Sequence, residues 1–140
     1  MVPPEKHSLV SAWLAKAGSD MGAAHSLILG MDRHLDAGVY HCQQAAEKSL
    51  KAILTFHDIP FPKTHNLTEL LIACHAAAPS AEKFLEYANL LTPYATEFRY
   101  PGDVFEPSIE DAKVALTMAN EFLSYAREIL QERLDVKQKD

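Results

Sequence analysis

Cysteine is nearly absent: Cys42 and Cys74 are the two the chain has, in no CxxC arrangement, so neither a disulfide framework nor a thiolate zinc site of that spacing is available. Histidine occurs 7 times, but no HExxH and no ExxH sets two ligands on one helical face, and no metal or cofactor is expected. With 5 glycines there is no GxGxxG or GxxxxGK[ST] loop for a nucleotide's phosphates, and GxSxG is missing too, so no serine nucleophile is marked. No apolar run approaches the roughly eighteen residues that would suggest a membrane span. The N-terminal stretch lacks a basic start, an apolar run and a small-residue cleavage site, which points to the cytoplasm and reduced thiols. Positive charge is the minority: 13 Lys and Arg against 19 Asp and Glu leave a net charge of −6. Such a field repels phosphate backbones, so DNA binding is not expected and any phosphate contact must come from a local basic cluster.

What the chain does have is hydrophobic residues, 48% of 140, recurring at three-and-four spacing, which is the signature of helices that bury one stripe. A first helix runs from Pro4 to about Leu29 on Val10, Trp13, Leu14, Ala17, Met21, Ala24 and Ile28, with Gly18 and Gly22 marking a close crossing or a weak point. A second, from about Leu35 to His57, carries Val39, Cys42, Ala46, Leu50, Ile53 and Phe56. Pro60 and Pro62 end it, because each lacks an amide donor and biases its predecessor to extended geometry. Asn66 with Glu69 has capping-box spacing and opens a third helix, Leu67 to Ala77. A fourth is predicted from Ala81 to Phe98, with Pro93 kinking it or beginning a second piece, and Ser108 with Asp111 opens a fifth that ends near Leu134. The expectation is one all-α domain over 1–135, an antiparallel up-and-down bundle of about five helices, with a frayed polar tail at 136–140. Trp13 and Phe122 fall in register with apolar stripes and are expected in the core.

Two features stand apart from core packing. On the second helix His41, Gln44, Lys48, Lys51 and Thr55 recur on one face, with Lys63 and His65 following, and they form either a local positive patch or a solvated helix face. At the end of the fourth helix, Arg99 and Tyr100 precede a stiff Pro101. The guanidinium there either meets a phosphate or caps the helix's last carbonyls.

The blocks Tyr40-His41-Cys42-Gln43-Gln44-Ala45-Ala46-Glu47-Lys48-Ser49-Leu50-Lys51-Ala52, Lys63-Thr64-His65-Asn66-Leu67 and Arg99-Tyr100-Pro101 stand in the order and spacing of the HEPN domain, which the chain resembles over nearly its whole length. The resemblance implies a bundle like the nucleotidyltransferase substrate-binding subunit, related to the C-terminal domain of kanamycin nucleotidyltransferase. It implies a homodimer, and a partner in a minimal nucleotidyltransferase with which small prokaryotic members form toxin–antitoxin pairs. It also implies a nucleotide or RNA ligand, for which Arg99, Tyr100, Lys48, Lys51, His65, His41 and Gln44 are the candidate contacts. Toxic members of the family are metal-independent ribonucleases with an arginine followed after four to six residues by a histidine. Here the last histidine is His75, ahead of Arg99, and the nearest histidines after Arg33 are the adjacent His34 and, seven residues separated, His41, so that motif is absent. A binding module is therefore expected ahead of an enzyme, the alternatives being a ribonuclease that takes its proton-transfer group from His41, His65 or Tyr100 and a purely structural interaction domain.

Overall fold

The second helix, α2 (Leu35–Phe56), is the axis around which the chain is arranged, because it has something to bury on almost every side. Against it pack α1 (Pro4–Leu29), α3 (Leu67–Cys74) and α5 (Ile109–Gln138), with the short α4 (Leu85–Leu91) closing one edge. These elements come from a computed structural model that describes residues 2–97, 101–102 and 106–138, with side chains through Leu134. The described residues form an all-helical bundle without strands, as the apolar periodicity predicts.

The α1–α2 hairpin turns through Gly30–His34, where the His34 amide donates to the Leu27 carbonyl. The close crossing lies not at Gly18 or Gly22 but at Gly38: a Cβ there would sit 2.5 Å from Ile28 Cγ1. At Gly18 a Cβ would meet only the far end of the Arg127 side chain, and at Gly22 nothing. The C-terminus of α2 closes in a Schellman motif, with the Ile59 amide donating to Leu54 O and the Asp58 amide to Thr55 O. Asp58 occupies the left-handed position at φ 55, where glycine is usual, and its carboxylate pairs with Lys6 at the start of α1.

Asn66 caps α3 as its spacing predicts, Oδ1 accepting from the amides of Thr68 and Glu69. That helix stops at Cys74, short of the expected Ala77. The fourth helix expected over Ala81–Phe98 opens as a 3-10 helix at Pro79–Phe84, continues as α4, and gives way at Pro93, one of the two outcomes expected there, to a second 3-10 helix at Thr92–Ala95. Pro93 supplies the physical reason for that second break, since it cannot donate to the preceding turn. Thr92 compensates, its hydroxyl donating to Ala88 O and accepting the Leu67 amide, which ties the end of α4 to the first turn of α3. Ser108 caps α5 by accepting the Asp111 amide at 3.0 Å, and α5 continues past the expected Leu134 to Gln138.

The core is rich in alanine, so helices approach closely: Ala17 and Ala24 of α1, Ala45, Ala46 and Ala52 of α2, and Ala112, Ala115, Ala119 and Ala126 of α5 are all inaccessible. Phe122 fills the centre, stacked on Phe84 at 4.9 Å between centroids. Trp13 departs from expectation. It is half-buried at the rim of the core, with the Lys51 ammonium 5.7 Å from its ring centroid.

Candidate functional site

Four polar residues of α2 are buried: Gln43, Gln44, Glu47 and Ser49. A helix packed on several sides must satisfy such groups internally, and α2 does so in two carboxylate-centred clusters. In the first, Asp20 of α1 accepts His41 Nδ1 at 2.8 Å on one oxygen and Lys48 Nζ at 2.6 Å on the other. Asp20 replaces an apolar residue in the buried stripe of α1, and its side chain is only 10% exposed.

In the second cluster Glu47 is the acceptor, its side chain 5% exposed. It takes hydrogen bonds from Lys51 Nζ at 2.9 Å, His65 Nδ1 at 2.8 Å and Gln43 Nε2 at 3.2 Å. Gln43 also donates to the His65 carbonyl, and Gln44 donates in turn to Gln43 Oε1. Burial by itself pushes the Glu47 carboxyl up, but the bonds from His65, Lys51 and Gln43 and the charge of Lys51 outweigh it and hold the group below its ordinary value. The Lys51 ammonium is further enclosed by aromatic rings, 5.7 Å from the centroids of both Trp13 and Phe61.

The predicted positive patch is thus corrected. The α2 stripe is neither a solvated face nor a free cationic surface, because Lys48 and Lys51 are each neutralised by a buried carboxylate. Gln44 is buried and committed to Gln43, which removes it from the surface contacts. His41, Lys48, Lys51 and His65 are gathered as expected, but into two clusters with Gln44 between them on α2. Arg99 and Tyr100 lie outside the described residues.

What remains presented is imidazole. The His65 side chain is 66% exposed and that of His41 is 32% exposed. Each ring turns Nδ1 towards a carboxylate, and in the neutral form that leaves Nε2 as the open acceptor. Sequence reasoning missed Asp20, Glu47, Gln43 and Phe61. Two of these left a signal: Asp20 interrupts an apolar stripe, and Glu47 stands four residues from both Gln43 and Lys51.

Elsewhere the chemistry is quiet. Burial pushes the thiols of Cys42 and Cys74 up to about 12, so neither supplies a thiolate near neutral pH. Among the described residues no group of three His, Cys, Asp or Glu side chains is placed to hold a metal ion, and no helix is long and apolar enough to cross a membrane.

The family model of the HEPN domain matches residues 10–129, a span that holds both clusters and every helix except the ends of α1 and α5. The chain belongs to the HEPN domain family. The HEPN fold is also that of an archaeal HEPN homologue of known crystal structure, which matches with a TM-score of 0.66 at 25% identity and covers 85% of this chain and 95% of its own. Among curated proteins none matches the chain. The two polar clusters are therefore features of an HEPN bundle, one on each side of Gln44 on its central helix.

Proposed function

We propose that this HEPN chain is a homodimeric binding module that receives a phosphate-bearing ligand, a nucleotide or RNA, at the α2 face beside His41 and His65. The observation that carries the proposal is a pair of imidazoles, His65 exposed and His41 half-buried, held from behind by buried carboxylates. Buried ion pairs of this kind add little stability over well-packed apolar residues. What they do provide is orientation: each ring is held at Nδ1 by a carboxylate. Asp20 with Lys48 and Glu47 with Lys51 are each neutral as pairs, so a charged imidazole in either cluster gives it one net positive charge to offer an anionic phosphate. Arg99, from the third family block, is the further cation assigned to the ligand, its planar fork suited to two phosphate oxygens. A minimal nucleotidyltransferase, in a toxin–antitoxin pair, is the protein partner that family resemblance supplies.

A second function, metal-independent cleavage of RNA, is favoured by the Glu47–His65 pair specifically. An imidazole whose Nδ1–H is engaged by a carboxylate has the tautomer and orientation that a general base requires.

Both are tested on one panel of purified protein: wild type, His65→Ala, His41→Ala and Arg99→Ala, each with nucleotides and a short RNA. A native-state ligand at one hundred times its dissociation constant adds about 2.7 kcal/mol to stability. Binding by wild type that weakens in the histidine variants supports the module. RNA cleavage lost with His65 supports the enzyme. A flat response of wild type to every nucleotide and RNA refutes both and leaves a purely structural domain.

A further inference from the structure

Away from the α2 face, a concavity of about 420 Å³ opens between α5 and the junction of the first 3-10 helix with α4. Its apolar lining is aromatic. The Phe84 ring lies 5.2 Å from Tyr125 and 5.9 Å from Tyr87, centroid to centroid, and both pairs are inclined rather than parallel, so three rings surround one opening. The Tyr125 hydroxyl is tied to Ser80 Oγ at 2.6 Å, which holds that ring in place. Two exposed carboxylates complete the lining: Glu121 and Glu128 stand on the same face of α5 as Tyr125, about 10 Å apart along the helix axis.

This cavity already holds a cation of the chain's own. Lys83 Nζ sits 5.3 Å from the centroid of Phe84 and 5.4 Å from that of Tyr125, within the range of attraction between an ammonium and an aromatic ring. None of the ion pairs among the described residues involves Lys83, Glu121 or Glu128, so ring faces hold the ammonium while both carboxylates are left without a cationic partner there. Two carboxylates against one ammonium leave the lining with one net negative charge. The adjoining concavity adds Glu86 and Lys113, one of each sign, and does not change that balance. Ring faces attract any alkylammonium, and carboxylates favour one that still carries N–H donors. The spacing sets the length: a single ammonium cannot meet two acceptors about 10 Å apart, whereas a chain of methylenes with an ammonium at each end meets both and lies across the rings between them.

We propose that this cavity is a binding site for a linear polyamine, and that the Lys83 side chain occupies it until the polyamine displaces it. Isothermal titration with spermidine at about 0.15 M salt, where distant charges are largely screened, tests it on wild type, Glu121→Gln, Glu128→Gln and Lys83→Ala. Glu5→Gln and Lys16→Ala on α1 serve as charge controls, and circular dichroism confirms that each variant is folded. Each glutamine variant weakens binding about fivefold, Lys83→Ala tightens it about fivefold by removing the internal competitor, and both controls stay within about twofold of wild type. Butylamine, with one ammonium, binds at least about tenfold more weakly than spermidine. Controls that shift binding as much as the cavity variants would reduce the effect to the general acidity of the chain and overturn the site. So would a Lys83→Ala protein that binds no better than wild type, butylamine binding as tightly as spermidine, or no binding by either wild type or Lys83→Ala.

Discussion

Replacing Glu47 by Ala removes the centre of the second cluster and leaves three donors with nothing to meet: the Lys51 ammonium, the His65 Nδ1–H and one Gln43 amide bond. Breaking a buried ion pair from one side costs about 3–5 kcal/mol, because the surviving charge stays buried. Lys51 is only 11% exposed, so water relieves it little, and its contacts with Trp13 and Phe61, already made in wild type, do not offset the loss. The net loss is then about 3–5 kcal/mol, read as a lower urea midpoint at unchanged slope and a Tm lower by at least about 10 °C. Changing both partners, as in Glu47→Leu with Lys51→Met, leaves no orphaned charge and returns to within about 1 kcal/mol of wild type. The sign of the pH dependence follows from the depressed carboxyl. Glu47 contributes its full stability above its ordinary value of 4.5, and that contribution is lost as pH falls through its lowered folded value. The gap between wild type and Glu47→Ala therefore stays constant from pH 7 to pH 5 and narrows below 4.5. A Glu47→Ala protein within 0.5 kcal/mol of wild type at pH 7, or a gap that widens in acid, would refute the assignment of Glu47 as a charged, hydrogen-bonded centre.

Glycine-to-alanine changes at Gly38 and Gly22 should have opposite signs in thermal denaturation. The new methyl at Gly38 meets Ile28 and costs about 1–3 kcal/mol of overpacking, whereas at Gly22 it enters open space and gains about 1 kcal/mol of helix propensity. Phe122→Ala loses about 3–5 kcal/mol in the same assay, since the ring is fully buried against Phe84. Cys42 and Cys74 should resist a thiol reagent at pH 8 in the native state and react fully once urea unfolds the chain, so rapid native labelling would contradict their burial.

The helical architecture was legible wherever apolar residues kept a regular helical period, as in α2, or a side-chain cap marked the start, as at Asn66 and Ser108. It was least legible between Pro79 and Ala95, because an apolar stripe at helical spacing looks alike in an α-helix and in a chain of 3-10 turns, and Pro93 decides between them only through the hydrogen bonds it cannot make. At the site, sequence spacing gathered His41, Lys48, Lys51 and His65 on one side of α2. It did not show that the face was covered. Helical periodicity states which residues share a side and not what lies across from it, so the neutralising role of Asp20, from another helix, was invisible until α1 was packed in place.

The Thr92 hydroxyl joins parts of the molecule that the sequence keeps far apart. By accepting the Leu67 amide and donating to Ala88 O, it ties the residue two places beyond His65 to the turn seven residues ahead of Arg99. One oxygen atom thus joins the first turn of α3, just beyond the histidine block, to the last turn of α4, so that a displacement of either helix end is passed to the other. Valine at position 92 would keep the packing and cut that tie, leaving the two helix ends to move on their own.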